Sequence, residues 1–417
     1  MALRDDPGTH IFLAKAYLQG GRNEEAIAEL KSIIDEPQVA MESRELLEQT
    51  YLRLGRVQAL AALYQETIDK FPDNLFWYNR AAEFLLQIRS FDGAEKLYLQ
   101  AWNKSKKTGQ PFPAALDGYL KVLLVTGKFA KVIEEAGKYV NSDMAPIALY
   151  RIAAAKLELG DKNGAIDSYR NAVDKAQDQT VAADILQKMY AAVGDEQVRK
   201  FCLEKIQNNQ IPIAAYFTLY NLEKMKQNYN KAIQYIEKCI QLAAENQDLR
   251  TNYIKAKAGL LEEAYAKTAD KTYLNEAISQ YESLLKEMPN NTSVLNNLAY
   301  KLAENNQRIT DAIEYAKRAY EIQPNDPMIL DTYALVLYKA GEYEKAAEPM
   351  QAALQRCEQN KISASWDMYE HLGMIKEKLG AKTEALAAYK QALQAAAGTL
   401  SKPVEERLKA AIERISQ

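Results

Sequence analysis

Histidine and cysteine are scarce in this sequence of 417 residues, which contains only 2 histidines and 3 cysteines. The histidines, His10 and His371, lie far apart, so we expect no two-histidine metal site and no Ser-His or Cys-His catalytic pair. The cysteines, Cys202, Cys239 and Cys357, are odd in number and widely spaced, unlike a disulfide framework. We therefore predict no catalytic residue, no metal ligand, no cofactor and no enzymatic activity.

Other absences narrow the class of protein further. The sequence contains no P-loop, GxGxxG, HExxH or CxxC motif. Its 53 basic and 56 acidic residues are interleaved and give a net charge of -3, which provides no attraction for nucleic acid or an anionic membrane. No apolar run is long enough to cross a bilayer, so we predict that this segment does not insert directly into a membrane.

A repeated pattern runs along nearly the whole chain. A small or apolar residue is followed four positions later by a larger one, and three positions further by another small or apolar residue. These spacings place the three residues on one face of a helix. The first residues of the eleven patterns, most of them about 34 residues apart, are Ala26, Leu60, Ala94, Val132, Ala165, Val198, Ala232, Ala277, Ala312, Ala346 and Ala385.

This pattern resembles the tetratricopeptide repeat (TPR) family, whose repeats are helical hairpins of 34 residues. Five tyrosines match the aromatic position of that repeat and are predicted to lie in the core: Tyr64, Tyr98, Tyr169, Tyr281 and Tyr389. The resemblance implies an all-α fold, an α-solenoid of about eleven hairpins in a right-handed superhelix with a C-terminal capping helix. The segment 295–346 also resembles a stretch common in large bacterial TPR proteins.

The irregular stretches predict the domain organisation. We expect repeats one to seven in 1–245, a lengthened helix and junction in 246–274, the rest of repeats eight to eleven in 275–399, and the capping helix in 400–417. The helix in the second range should be continuous over about 247–267.

Two further stretches, 103–113 and 357–367, are predicted to be loops. The dipeptide Asp6-Pro7 matches Asp326-Pro327, which precedes a strongly helical stretch. Asp6-Pro7 is therefore predicted to start a helix as a linker between repeats does, and we expect further repeats before it in the native protein.

The family resemblance also implies where a partner binds, because the first helices of TPR hairpins line a concave groove. Aromatic and amide side chains mapped to that groove suit an extended peptide. The candidates are Tyr150, Gln187, Tyr190, Phe217, Asn221, Asn296, Tyr300 and Tyr338.

We therefore predict a non-catalytic scaffold for protein–protein interaction. Its partner is a protein or peptide, with a polysaccharide as a second candidate ligand. Two alternatives stay open: a periplasmic component of bacterial exopolysaccharide or surface-protein export, and the recruiting arm of an enzyme whose catalytic domain lies outside this segment. The compartment, bacterial cytoplasm or periplasm, stays open as well.

Overall fold

The computed structural model describes residues 6–176, 178–396 and 402–416, and within these ranges the chain forms 23 α-helices and no β-strand. The helices up to residue 225 are α1 (Pro7–Gln19), α2 (Asn23–Ser32), α3 (Ala40–Arg53), α4 (Val57–Lys70), α5 (Leu75–Gln87), α6 (Phe91–Thr108), α7 (Pro113–Val125), α8 (Phe129–Gly137), α9 (Ala145–Glu158), α10 (Lys162–Asp174), α11 (Gln179–Val193), α12 (Asp195–Gln207) and α13 (Pro212–Met225). Those that follow are α14 (Tyr229–Leu242), α15 (Gln247–Thr268), α16 (Lys271–Glu287), α17 (Thr292–Glu304), α18 (Ile309–Ile322), α19 (Pro327–Lys339), α20 (Tyr343–Gln359), α21 (Trp366–Lys378), α22 (Lys382–Ala395) and α23 (Lys402–Ser416).

Consecutive helices pair into hairpins, from α1/α2 to α11/α12 and from α15/α16 to α21/α22, and α23 packs on α22 of the last hairpin. This confirms the predicted α-solenoid of helical hairpins. The repeated small residues explain the packing: Ala94, Ala232 and Ala346 have no exposed surface, because they lie where neighbouring helices touch. The five tyrosines of the repeat pattern are also buried, between 2% and 4% exposed, as predicted: Tyr64, Tyr98, Tyr169, Tyr281 and Tyr389.

The two Asp-Pro dipeptides begin helices in the same way. Asp6 caps α1 by accepting a hydrogen bond of 3.1 Å from the backbone N–H of Gly8. Asp326 caps α19 by accepting one of 2.8 Å from the backbone N–H of Met328. In both helices a proline follows the cap, where its missing N–H costs no hydrogen bond. The predicted equivalence of the two helix starts is confirmed.

Helix α15 contains 22 residues and is the longest of the described helices, as the sequence predicted. At the usual rise per residue it is about 33 Å long. It is also anchored by charge, because the buried ammonium of Lys257 lies 2.7 Å from both Glu237 and Glu276 on the adjoining helices. The lengthened helix predicted for this stretch is thus regular and well packed.

The two predicted loops are shorter than expected, and the prediction of loop structure over their first residues was wrong. Helix α6 continues to Thr108, so the connection to α7 covers only 109–112. Its last turns stay helical because Ser105 is buried against the fold and Gly109 ends the helix in the left-handed conformation. Helix α20 likewise continues to Gln359, because the buried thiol of Cys357 packs on Met368 of α21.

The chain separates into two compact units. The N-terminal unit is Met1–Leu222 and the C-terminal unit is Glu223–Gln417. Each has its own hydrophobic core, formed by apolar residues from successive hairpins. The domain limits expected from the sequence, with a junction at 246–274, stay predictions.

Candidate functional site

In the N-terminal unit, two adjoining cavities open on the first helices of successive hairpins. One, the α5–α7 cavity, has a volume of about 640 Å³ and is lined by α5, the start of α6, and α7. The other, the α7–α11 cavity, has a volume of about 430 Å³ and is lined by α7, α9 and α11. Ala114 and Asp117 line both cavities, so together they follow four consecutive first helices.

The α7–α11 cavity is mostly apolar. Its walls include Pro146 and Ile147 at the start of α9, and Val181 and Ile185 on α11. Val181 is 36% exposed although it is a large aliphatic residue. A cavity of this kind suits an aliphatic or aromatic side chain, because burying that side chain removes apolar surface from water on both partners.

Asp117, which lines both cavities, belongs to an ion pair. Arg151 of α9 donates two hydrogen bonds of 2.8 Å to the carboxylate of Asp117 on α7. Tyr150 donates a further hydrogen bond to the same carboxylate. Burial tends to raise the pKa of Asp117, but Arg151 together with Tyr150 and Lys188 outweighs it, so the pKa lies below its ordinary value and the carboxylate stays charged. The pair therefore presents a fixed charge distribution at neutral pH.

A close approach between α6 and α7 shapes the α5–α7 cavity. A Cβ atom on Gly118 would lie 2.2 Å from Cε1 of Tyr98, so only glycine lets the ring pack against α7. Tyr98 and Gly118 both line the cavity. The depth of the cavity at this point follows from a missing side chain.

The C-terminal unit contains a third cavity, of about 320 Å³, which we name the C-terminal cavity. It is walled by α17, α19, α21, α22 and α23. Its lining includes Tyr300 of α17, Lys339 of α19, and Trp366 and His371 of α21. Burial is the main cause of the raised pKa of Tyr300, and the nearby carboxylates, Glu304 first among them, raise it further.

Two bidentate pairs fasten α23 to α21 beside this cavity. Arg407 donates hydrogen bonds of 2.7 and 2.8 Å to Glu370. Arg414 donates two of 2.9 Å to Glu377. Each arginine lies two helices after its carboxylate in chain order, as Arg151 of α9 lies two helices after Asp117 of α7. The last helix thus uses the same kind of contact that joins successive hairpins.

The structure distributes the predicted site residues over both units. Tyr150 lines the α7–α11 cavity and Tyr300 the C-terminal cavity. Gln187 and Asn221 are exposed, and Tyr190, Phe217, Asn296 and Tyr338 are partly exposed; these six line none of the three cavities. Phe217 stacks on Tyr220 and Tyr338 packs on Tyr343, with ring centroids 5.5 and 5.4 Å apart. The carbonyl oxygen of the Asn296 side chain is buried and has no hydrogen-bond partner among the described residues.

Reasoning from aromatic residues missed the aliphatic cavity wall and the cation of each ion pair. Pro146, Ile147 and Val181 do not stand out in an apolar helical pattern. Two of these cations are Arg151, which pairs with Asp117, and His371, which pairs with Asp331. Both could have been found, because they occupy the same place relative to the repeat residues Ala165 and Ala385. Comparing repeats for matched charges is the signal that would have identified them.

The part of the chain that the structure describes holds no group of three or more His, Cys, Asp and Glu side chains arranged to bind a metal ion. Within these same ranges, no helix has both the length and the apolar character needed to cross a membrane.

The fold and cavities define a helical-repeat scaffold, in which stacked hairpins present their first helices as a surface. Family models described as tetratricopeptide repeat match residues 147–178, 216–246, 274–327 and 333–398. In these four segments the chain carries tetratricopeptide repeats, as its sequence pattern predicted. Stacked repeats of this kind are typical of scaffolds for protein–protein interaction.

One curated relative and several solved structures are similar to the chain. The TPR repeat-containing protein PA4667 of Pseudomonas aeruginosa is 34% identical over 85 residues, which are 20% of this chain and 13% of that protein. The match thus covers a small part of either protein.

The solved structures are more distant. Yeast Tom70 has 13% identity and a TM-score of 0.35, with 98% of this chain and 95% of that chain covered. MamA has 17% identity and a TM-score of 0.32, with 45% of this chain and 96% of that chain covered. Scores this low carry no inference about function.

Proposed function

We propose that the chain binds an extended segment of a partner protein along the first helices of the N-terminal unit. The observation that carries this proposal is the pair of adjoining cavities on α5, α7, α9 and α11. An extended peptide rises about 3.3 Å per residue, so a short segment covers both cavities. The apolar α7–α11 cavity would hold one side chain of the segment as an anchor.

The polar groups beside the cavities support a peptide as the ligand. Lys121 and the amide of Gln87 line the α5–α7 cavity and can bond the carbonyl groups of a bound backbone. Asp117 already accepts bonds from Arg151 and Tyr150, so it positions the wall and is not the main contact for a ligand. No observation favours an export role or the recruiting arm of an enzyme, and neither is proposed.

The proposal is tested with random dodecamer peptides selected by phage display on the whole chain. Selected peptides are synthesised and their affinity is measured for the parent and for Val181→Asp, which places a charge in the apolar cavity. We expect affinity to fall at least about tenfold, because a buried unpaired carboxylate opposes an apolar anchor.

The matched control is Leu203→Asp on α12, since Leu203 is also an exposed aliphatic residue, at 47% exposure, but lines neither cavity. It should leave affinity unchanged, and both variants should melt like the parent. Peptides that bind Val181→Asp as well as they bind the parent would refute the proposed anchor.

The predicted aromatic residues are proposed as further contacts and are tested in the same assay. Tyr190 and Phe217 are partly exposed on α11 and α13. If they extend the binding surface, Tyr190→Ala and Phe217→Ala should each lower affinity with an unchanged melting temperature. A large fall in melting temperature would instead assign both rings to the core.

A further inference from the structure

The pair formed by Asp331 and His371 is the most deeply buried charged contact of the C-terminal cavity. Nδ1 of His371 donates to Oδ1 of Asp331 at 2.8 Å, and the two side chains are only 7% and 4% exposed. Asp331 lies on α19 and His371 on α21, so the bond joins the first helices of two successive hairpins. It therefore contributes to the stacking of one hairpin on the next.

The same contact occurs elsewhere with a permanent cation. Asp117 and Asp331 occupy the same place relative to the repeat residues Val132 and Ala346. Their partners Arg151 and His371 also match in position, as noted above. Arginine stays charged at all accessible pH, whereas imidazole has an ordinary pKa of about 6.5.

Every element packed around His371 brings charged or titratable groups toward it. These are Tyr300 and Glu304 from α17, Asp331 and Lys339 from α19, Cys357 from α20, Asp367 and Glu370 from α21 itself, Tyr389 from α22, and Arg407 and Arg414 from α23. Apart from His371, these groups ordinarily titrate far from neutral pH, except Cys357, whose pKa burial raises further above neutral. The acidic and basic groups nearly balance, so the cavity does not select a ligand by charge, and the charge that changes near neutral pH is that of His371.

We propose that the Asp331–His371 pair is a pH-sensitive clasp, which holds α19 and α21 together when His371 is protonated and loosens when the imidazole loses its proton. The neighbouring residue Glu370 accepts hydrogen bonds from Arg407 of α23, so loosening at His371 also weakens the packing of α23 on α21. The clasp is independent of the function proposed for the N-terminal unit.

The sign of the pH effect follows from the surroundings of His371. Burial by itself lowers the pKa of His371, but the charge and hydrogen bond of Asp331, aided by Asp367 and Glu370, outweigh it and raise the pKa. A raised pKa means that the folded form binds the proton more tightly than the unfolded form. The stabilisation is complete below a pH of about 6.5 and is lost as the pH rises through the folded-state pKa.

Because the chain has only 2 histidines, imidazole NMR of the full chain tests the clasp directly. The variant His10→Gln leaves His371 as the single histidine, and its ring signals should titrate with a midpoint above about 6.5. Asp331→Asn in the same background should move the midpoint down, since the carboxylate is the main group that raises the pKa. A midpoint at or below the ordinary value would overturn the clasp.

Thermal melting supplies a second readout. The parent should melt at a higher temperature than His371→Gln at about pH 6. This difference in melting temperature should be about 2–4 °C smaller at about pH 9, because only the parent has an imidazolium at position 371 to lose. Hydrogen exchange should place the difference in α19, α21 and α23. The control His10→Gln replaces the other histidine, which is 25% exposed and pairs with Glu29 in the N-terminal unit, so it should not change exchange in α19, α21 or α23. A parent–variant difference that is equal at every pH would also overturn the clasp.

Discussion

In both compact units a buried or partly buried ion pair joins the first helices of successive hairpins, but the cation differs. In the N-terminal unit, Asp117 of α7 pairs with Arg151 of α9; in the C-terminal unit, Asp331 of α19 pairs with His371 of α21. The first pair is more exposed, at 31% and 15%, and the second is nearly closed to water. One repeat position can therefore carry a contact that is constant with pH or one that responds to it, depending on the cation.

Glycine and tyrosine show a second contrast. Gly118 admits the ring of Tyr98 from the preceding hairpin, whereas Gly373 admits the ring of Tyr389 from its own hairpin. The same pair of residue types thus tightens the contact between hairpins in one unit and within a hairpin in the other. The two tyrosines occupy the same place in the repeat, whereas Gly118 lies 14 residues before Val132 and Gly373 lies 12 before Ala385, so the position of the glycine decides which helix the ring packs on.

The largest loss of stability is expected when the cation of the Asp117–Arg151 pair is removed. Arg151→Leu should destabilise the N-terminal unit by about 2–3 kcal/mol, because it leaves the carboxylate of Asp117 without its cation in a partly closed site. Denaturant unfolding measures the loss, and hydrogen exchange should place it in α7 and α9.

Lys138→Leu is the control for that variant, since its pair with Glu135 is largely exposed and should contribute much less to stability. Equal losses in the two variants would show that the Asp117–Arg151 pair has no special role in stacking.

The close contacts at Gly118 and Gly373 are tested by adding one methyl group to each glycine. Gly118→Ala places its Cβ 2.2 Å from the ring of Tyr98, and Gly373→Ala places it 2.8 Å from that of Tyr389. Both should lower stability by about 1–2 kcal/mol, with the larger loss at Gly118, because overpacking outweighs the gain in helix propensity.

The matched control for these variants is Gly259→Ala in α15, where nothing lies within 4 Å of the added Cβ. It should stabilise the chain by about 0.5–1 kcal/mol. A neutral result for Gly118→Ala would mean that Tyr98 moves aside at little cost.

The smallest effect is expected when the cation of one ion pair is exchanged for that of the other. Arg151→His should make the N-terminal unit resemble the C-terminal one, because an imidazole beside Asp117 would have a raised pKa. Stability should then be greatest below pH of about 6.5 and fall by about 1 kcal/mol as the pH rises through the folded-state pKa. Unfolding measured at several pH values checks this, and a flat profile would show that Asp117 is too exposed to hold the proton.

The sequence alone was sufficient for the architecture. The spacing of small residues predicted the hairpins, the Asp-Pro dipeptides predicted two helix starts, and the apolar spacing in 247–267 predicted one long helix. These features are local, because they depend on helix periodicity and on capping within a few residues. The limits of the two loops were missed because the sequence does not show that Ser105 and Cys357 are buried.

The position of the cavities and the chemistry of their walls were decided by tertiary structure. Tyr150 was selected for its aromatic ring, yet its hydroxyl is used to bond Asp117, a residue in the preceding repeat. His371 appeared in the sequence as an isolated histidine without a partner, because Asp331 lies 40 residues before it. Only the stacking of hairpins brings such residues together, and a repeat period alone does not reveal which side chains then share a buried bond. The sequence therefore determined the helices and their order, while the contacts between hairpins determined the cavities, the ion pairs and the pH response.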